Sequence, residues 1–203
     1  MIITDIKKQV NNKNKVSIFV DGQYYNSLFD ETYASSKMEI GDSITDDEFN
    51  RLQIESQKKM AFNKSLGYLS HRIRSVSEVI KYLEKKEYCI EAIEYTIEKL
   101  QEYKYLDDEH FANTLVSDRM NARGKGKNYI LQNLRKYNIS SEITANILEN
   151  YDYDKEYENA IKLAAKLSKK HAKVEDNYKR KQKISSAMAR AGFDWDTIKS
   201  ALN

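Results

Sequence analysis

The sequence predicts a mainly α-helical protein: three tandem three-helix repeats forming an elongated, curved array, preceded by a small antiparallel β-sheet and a long helix. Three observations carry this. The 203 residues include no Pro and only 6 Gly, so the residues that interrupt helices are scarce. Apolar residues recur at helical intervals through most of the chain, in a pattern that returns three times. The first 40 or so residues follow a different grammar, with β-branched and aromatic runs separated by turn residues. A mean hydropathy of −0.76 with 32% charged residues fits small units with much exposed surface better than one thick core. Fifteen Tyr and six Phe argue against an unfolded chain.

The N-terminal sheet is read from Val16–Val20 (VSIFV), the dipeptide Asp21-Gly22 and Gln23–Phe29 (QYYNSLF). An apolar run, a DG turn and an aromatic run make a β-hairpin. Ile2–Val10 supplies a third strand, with Asn11–Lys15 as its turn, and Gly41-Asp42-Ser43 closes the region. Thr45-x-x-Glu48 fits a capping box, in which the Thr oxygen accepts from a free helical N–H and the Glu reaches back to the cap. A helix over about 46–70 follows, with Ser56 or Gly67 as possible break points.

Ser75-x-x-Glu78 is a second capping box and opens a helix through Val79, Ile80 and Leu83. The central residues Leu83, Leu134 and Met188 recur at intervals of 51 and 54 residues. Each is followed by a short turn before a large apolar residue: Glu87-Tyr88, Asn138-Ile139 and Gly192-Phe193. The first helices fall at about 58–71, 108–121 and 154–171, the second at 76–86, 127–136 and 178–191, and the third at 90–102, 141–150 and 195–202. The expected divisions are 1–45, 46–106, 107–152 and 153–203. Units of about 50 residues are marginal alone, so neighbours should stack and share apolar surface.

Enzyme chemistry finds little support. Gly124-Lys125-Gly126-Lys127 lacks the spacing of a phosphate-binding loop, and no strand precedes it, so it reads as a flexible basic connector. Asp107-Asp108 and Asp46-Asp47 read as helix caps and first-turn charges. The single Cys89 excludes an internal disulfide framework and reads as a half-buried packing residue. His71, His110 and His171 lie far apart, and neither CxxC nor HExxH occurs, so no metal or cofactor is expected. The opening MIITDIKKQV has no apolar signal region, and no run of 18 apolar residues occurs. A cytoplasmic, non-membrane protein is the expectation.

Charge is the remaining signal. Net charge is +3, yet residues 1–57 sum to −4 and residues 58–203 to +7. A basic run leads into the second helix of each repeat: Arg72 and Arg74, then Arg123, Lys125 and Lys127, then Lys179, Arg180, Lys181 and Lys183. Recurrence at one place in three repeats fits contacts to phosphates or to acidic protein patches. Phe193 and Trp195 carry rings suited to stacking on bases, but their helical spacing with Ile198 and Leu202 favours the core.

The string Arg72-Ile-Arg74-Ser75-x-x-Glu78, Leu83-x-x-Lys86-x-Tyr88 and Tyr105-Leu106-Asp107-Asp108-x-x-Phe111-Ala112 resembles the first half of RecX regulatory proteins. Arg123-Gly-Lys-Gly126, with Ile130, Leu134, Tyr137 and Ile139, continues it, and Lys179-Arg180 through Arg190-Ala-Gly192-Phe193 completes it. The order of these motifs over 58–203 is specific, and the preceding segment is similar to the N-terminal extension of clostridial members. The chain has Ile73 where the family commonly has Pro, Glu87 where it has Gly, and Gly126-Lys127 where it has Gly-Pro. The resemblance implies a non-enzymatic, monomeric modulator of the RecA recombinase. Such a protein would lie in the groove of the RecA–single-stranded-DNA filament and limit ATP hydrolysis, strand exchange and filament growth. The positions expected to meet filament or DNA are Arg72, Arg74, Arg123, Lys125, Lys127, Arg135, Lys179, Arg180, Lys183 and Arg190. The alternative is a helical module that binds single- or double-stranded DNA without RecA, as helix-turn-helix domains do.

Overall fold

The computed structural model describes residues 1–10 and 13–202. The expected Asn11–Lys15 turn therefore lies partly outside the described residues. Three strands form an antiparallel sheet in the order β1 (Ile3–Lys8), β2 (Lys15–Val20), β3 (Gln23–Phe29). The hairpin turn has both central residues in the left-handed region, Asp21 at φ 49° and Gly22 at φ 82°, the geometry that makes Asp-Gly the preferred pair. Strand β2 alternates, and Val16, Ile18 and Val20 fall on its buried face. The Gly41–Ile44 segment does more than close the region. It hydrogen-bonds to the chain start, with Ile3 N–H donating to the Asp42 carbonyl at 2.9 Å and Gly41 N–H to the Ile3 carbonyl at 2.8 Å.

A short helix, α1 (Asp30–Ser36), follows β3 directly. The sequence reading placed no helix there. Helix α2 (Asp46–Leu69) begins at Thr45 with both arms of the capping box formed. It is unbroken for 24 residues, so neither Ser56 nor Gly67 interrupts it. Its two halves serve different cores. Phe49 joins Ile3, Ile18, Leu28 and Met38 under the sheet. Ala61, Phe62 and Leu66 join Val79, Leu83, Ile93 and Leu100 of the first repeat. That repeat is completed by α3 (Val76–Glu84) and α4 (Ile90–Glu102).

The second repeat comprises α5 (Asp108–Ser117), a π-helical turn (Asp118–Ala122), α6 (Lys127–Lys136) and α7 (Ser141–Glu149). The third comprises α8 (Tyr153–Lys170), α9 (Asn177–Arg190) and α10 (Trp195–Leu202). The chain divides into two compact units, Met1–Leu106 and Asp107–Asn203.

The threefold pattern has one physical cause in the turn after the second helix. Glu87, Asn138 and Gly192 all adopt positive φ, at 60°, 54° and 96°. The next residue then donates back along the helix: Tyr88 to the Leu83 carbonyl at 3.3 Å, Ile139 to Leu134 at 3.0 Å, Phe193 to Met188 at 3.3 Å. This is a Schellman ending, which satisfies carbonyls the helix leaves unpaired and turns the following apolar side chain inward. The acceptors are the three residues that set the repeat.

Within the second unit, the second and third repeats meet through main chain. Gly126 N–H donates to the Ala191 carbonyl and Asn128 N–H to the Gly192 carbonyl, both at 3.0 Å. The approach is so close that a Cβ on Gly126 would lie 2.6 Å from Gly192 main-chain atoms, and one on Gly192 would lie 2.4 Å from Tyr129 Cβ. The glycine-lysine connector is thus a locked joint and not a flexible linker. Two side chains of α8 complete it. Glu156, 2% exposed, accepts from Lys127 N–H at 2.7 Å, filling the cap position that Gly126 leaves without a side-chain acceptor. Asn159 donates to the Met120 carbonyl of the π-helical turn at 2.9 Å.

Candidate nucleic-acid and partner interface

The basic residues singled out in the sequence occupy unlike environments. Arg72 lies over the start of α3 and makes a two-pronged pair with Glu78, at 2.5 and 3.2 Å. Glu78 is also the reaching residue of the Ser75 capping box. Burial alone would raise its carboxyl pKa, but Arg72, the Ser75 N–H and Arg74 outweigh burial and hold it below the ordinary range.

Arg74 is turned inward. Its side chain is 14% exposed, and its guanidinium sits 3.9 Å from the centre of the Tyr68 ring. Tyr68 in turn stacks on Tyr82 at 4.0 Å with planes 3° apart. A cation held against an aromatic face in this way fastens α2 to α3. Arg74 is therefore a packing residue, not part of an outward-facing basic row.

Lys125 and Lys127 are half-buried, their ammonium groups 5.0 and 4.9 Å from the Tyr129 and Tyr153 ring centres. Arg123 is exposed and pairs with Asp118 at 3.3 Å. Arg135 is exposed on the last turn of α6. In the third repeat, the basic run does not precede the second helix as it does in the others. Helix α9 starts one turn earlier relative to its central Met188 and absorbs Lys179, Arg180 and Lys183. Lys179 pairs with Asp176 at 3.7 Å, and Arg180 donates to Asn177 at 3.0 Å. Lys183 and Arg190 line a groove between α8 and α9 together with Lys170 and His171.

The densest charge extends beyond the residues first singled out. From Asn159 to Arg190 the chain has ten Lys and Arg against two Asp and Glu. Half of them (Lys162, Lys166, Lys169, Lys170 and Lys173) are on α8 or just after it and are exposed. Local density in the sequence marks this region better than periodic position does. Trp195 also departs from the sequence reading. It stands at the first turn of α10, 67% exposed, while Phe193 is buried as expected. Cys89 caps the start of α4, where its N–H donates to Gln57 at 2.8 Å, and burial raises its thiol pKa, as befits a packing residue. No group of three His, Cys, Asp or Glu placed to hold a metal occurs among the described residues, and no helix among them is long and apolar enough to cross a membrane.

Comparison with known proteins covers the chain segment by segment. Residues 1–45 match the family model of the regulatory protein RecX N-terminal domain. Residues 61–100, 107–148 and 154–202 match the first, second and third three-helix domains of RecX. The regulatory protein RecX of Bacillus licheniformis is 34% identical over 200 residues, covering 98% of this chain and 76% of the relative. That of Clostridioides difficile is 33% identical, covering 100% and 94%. A crystal structure of regulatory protein RecX superposes with a TM-score of 0.69 at 25% identity, covering 98% of both chains. The RecX structure from Lactobacillus salivarius gives 0.65 at 27% identity, covering 72% of this chain and 94% of that one. With all four segments matched in order and relatives above 30% identity over nearly the whole length, the chain belongs to the RecX family of regulatory proteins.

Proposed function

We propose that the protein is a non-enzymatic regulator of the RecA recombinase, mainly an inhibitor, acting in the cytoplasm as a monomer. It binds in the groove of the RecA–single-stranded-DNA filament and limits ATP hydrolysis, strand exchange and filament growth. The observation that carries this reading is the family match over every segment, joined to a fold with the same helix–turn–helix junction three times. Repeated units suit a repeating target. Several weak contacts on one chain gain by effective concentration, since each engaged repeat holds the next near its site. In this reading the functional modules are 1–45, 46–106, 107–152 and 153–203. The contacts to filament or DNA come from Arg72, Arg123, Lys125, Lys127, Arg135, Lys179, Arg180, Lys183 and Arg190, while Arg74 holds the first repeat in shape.

The test is RecA-dependent ATP hydrolysis on single-stranded DNA, titrated with this protein. Inhibition at low ratios to RecA is the expected result, weakened when Lys179, Arg180 and Lys183 are together replaced by Glu. Hydrolysis unchanged at stoichiometric protein overturns the reading. The second reading, a helical module that acts on DNA without RecA, is favoured by the ten-to-two excess of cations between Asn159 and Arg190. It expects tight binding to bare DNA, with log affinity falling steeply against log salt.

A further inference from the structure

The third repeat carries a cleft between α9 and α10 of about 530 Å³. Ala189, Ile198 and Leu202 give its lining an aliphatic part, and Gln182, Ser185 and Ser186 give it uncharged polar groups. Lys181 and Lys199 line it too, and among the described residues no carboxylate does. Trp195 and Tyr178 flank it, 67% and 76% exposed. Apolar surface left contiguous and exposed, with polar residues at its rim, is a mark of interaction sites. Trp195 and Tyr178 line the same cleft, so the two exposed rings belong to one surface.

We infer that this cleft is a stacking site for unpaired nucleobases of a single-stranded nucleic acid. Three features converge. The exposed rings offer π-faces, on which any base stacks regardless of sequence. Lys181 and Lys199 line the cleft and offer cations to backbone phosphates, and the nine other cations between Asn159 and Arg190 add to that attraction. The uncharged amide and hydroxyls of Gln182, Ser185 and Ser186 meet the hydrogen-bonding edge of a base without imposing one sequence. A basic partner is disfavoured by the cationic rim. An acidic peptide matches the charge but makes little use of two bare ring faces.

Trp195 is the only tryptophan of the chain, so its fluorescence reports on this cleft alone. The full-length protein is titrated with a short oligothymidylate, with an abasic strand of the same length and charge, and with polyglutamate. The oligothymidylate should quench Trp195 and bind more tightly than the abasic strand by about 5- to 150-fold, the range of one stacked base. Raising salt should weaken both strands together and leave that ratio unchanged, because stacking moves no counterions. Anisotropy of labelled oligothymidylate should show a similar loss for Trp195→Ala and Tyr178→Ala, with Trp195→Phe retaining most of the affinity. Because both rings are exposed, circular dichroism of the variants should match the parent. Equal quenching and equal affinity for the abasic strand overturn the proposal. So does quenching by polyglutamate without quenching by oligothymidylate, which would assign the cleft to an acidic peptide. No recombinase enters the assay, so stacking and regulation of RecA succeed or fail separately.

Discussion

At the scale of single residues, the most heavily constrained charge is Glu156. Burial pushes its carboxyl pKa up, the Lys127 N–H opposes this, and the nearby Asp194 adds to the rise while the Lys127 charge reduces it. The folded state therefore holds a proton on this group at pH values where the unfolded chain has released it. Its contribution to stability is complete below the ordinary glutamate range and is lost as pH rises through the elevated folded pKa. Glu156→Gln keeps a carbonyl acceptor for Lys127 and removes the buried charge. Thermal unfolding across pH should show the variant gaining on the parent as pH rises toward neutrality. A deficit that is the same at every pH would mean that the charge itself costs nothing. Burial of this kind is invisible in a sequence, since nothing in the first turn of α8 sets Glu156 apart from Asp154. The inward turn of Arg74 and the exposure of Trp195 are hidden in the sequence for the same reason. Which side of a turn faces inward depends on partners far along the chain, Tyr68 and Tyr82 in the first case.

At the scale of elements, the shared turn makes a graded comparison. The same left-handed position holds Gly192, Asn138 and Glu87. Glycine adopts this region freely, asparagine tolerates it, and glutamate pays a steric cost there. Glu87 is exposed, so Glu87→Gly should raise unfolding stability by about 0.5–1 kcal/mol, the left-handed penalty less the entropy glycine brings to the unfolded chain. Gly192→Ala should instead lower it by more than about 2 kcal/mol, since the new methyl collides with Tyr129 as well as straining the turn. Chemical denaturation of both variants measures the contrast. A neutral Gly192→Ala would mean that the joint can open without cost. These turns were legible because a Schellman ending is local, written in the last turn of a helix and the apolar residue after it. So were the hairpin at Asp21-Gly22 and the caps at Thr45, Ser75 and Asp107. Helix α1 was not. Seven residues, DETYASS, hold too little periodicity to signal a helix, and α1, with Thr32 buried, packs against α2 and the sheet. The π-helical turn is equally silent, since its Met120 carbonyl, which accepts from Gly124 N–H, is also tied by Asn159 from the next repeat.

At the scale of the molecule, the apolar clusters are built within units. Phe111, Leu115, Ile130, Leu134 and Ile147 form one, and Ala160, Ile184, Met188, Phe193 and Ile198 another, both within residues 107–203. The sheet cluster and the first-repeat cluster both lie within residues 1–106. A segment that owns its core and its internal joint has what a domain needs to fold alone. Residues 107–203 expressed separately should therefore melt cooperatively and give a dispersed amide NMR spectrum. A non-cooperative melt would show that the second unit draws stability from the first. The glycine joint inside that unit has a consequence of another kind. Because the bonds from Gly126 and Asn128 run between peptide groups, side chains nearby other than Glu156 and Asn159 can change while those bonds persist. The geometry of the pair is inherited through two absent methyl groups. Descendants of such a chain are free to rewrite their surfaces for new partners while keeping the same internal angle.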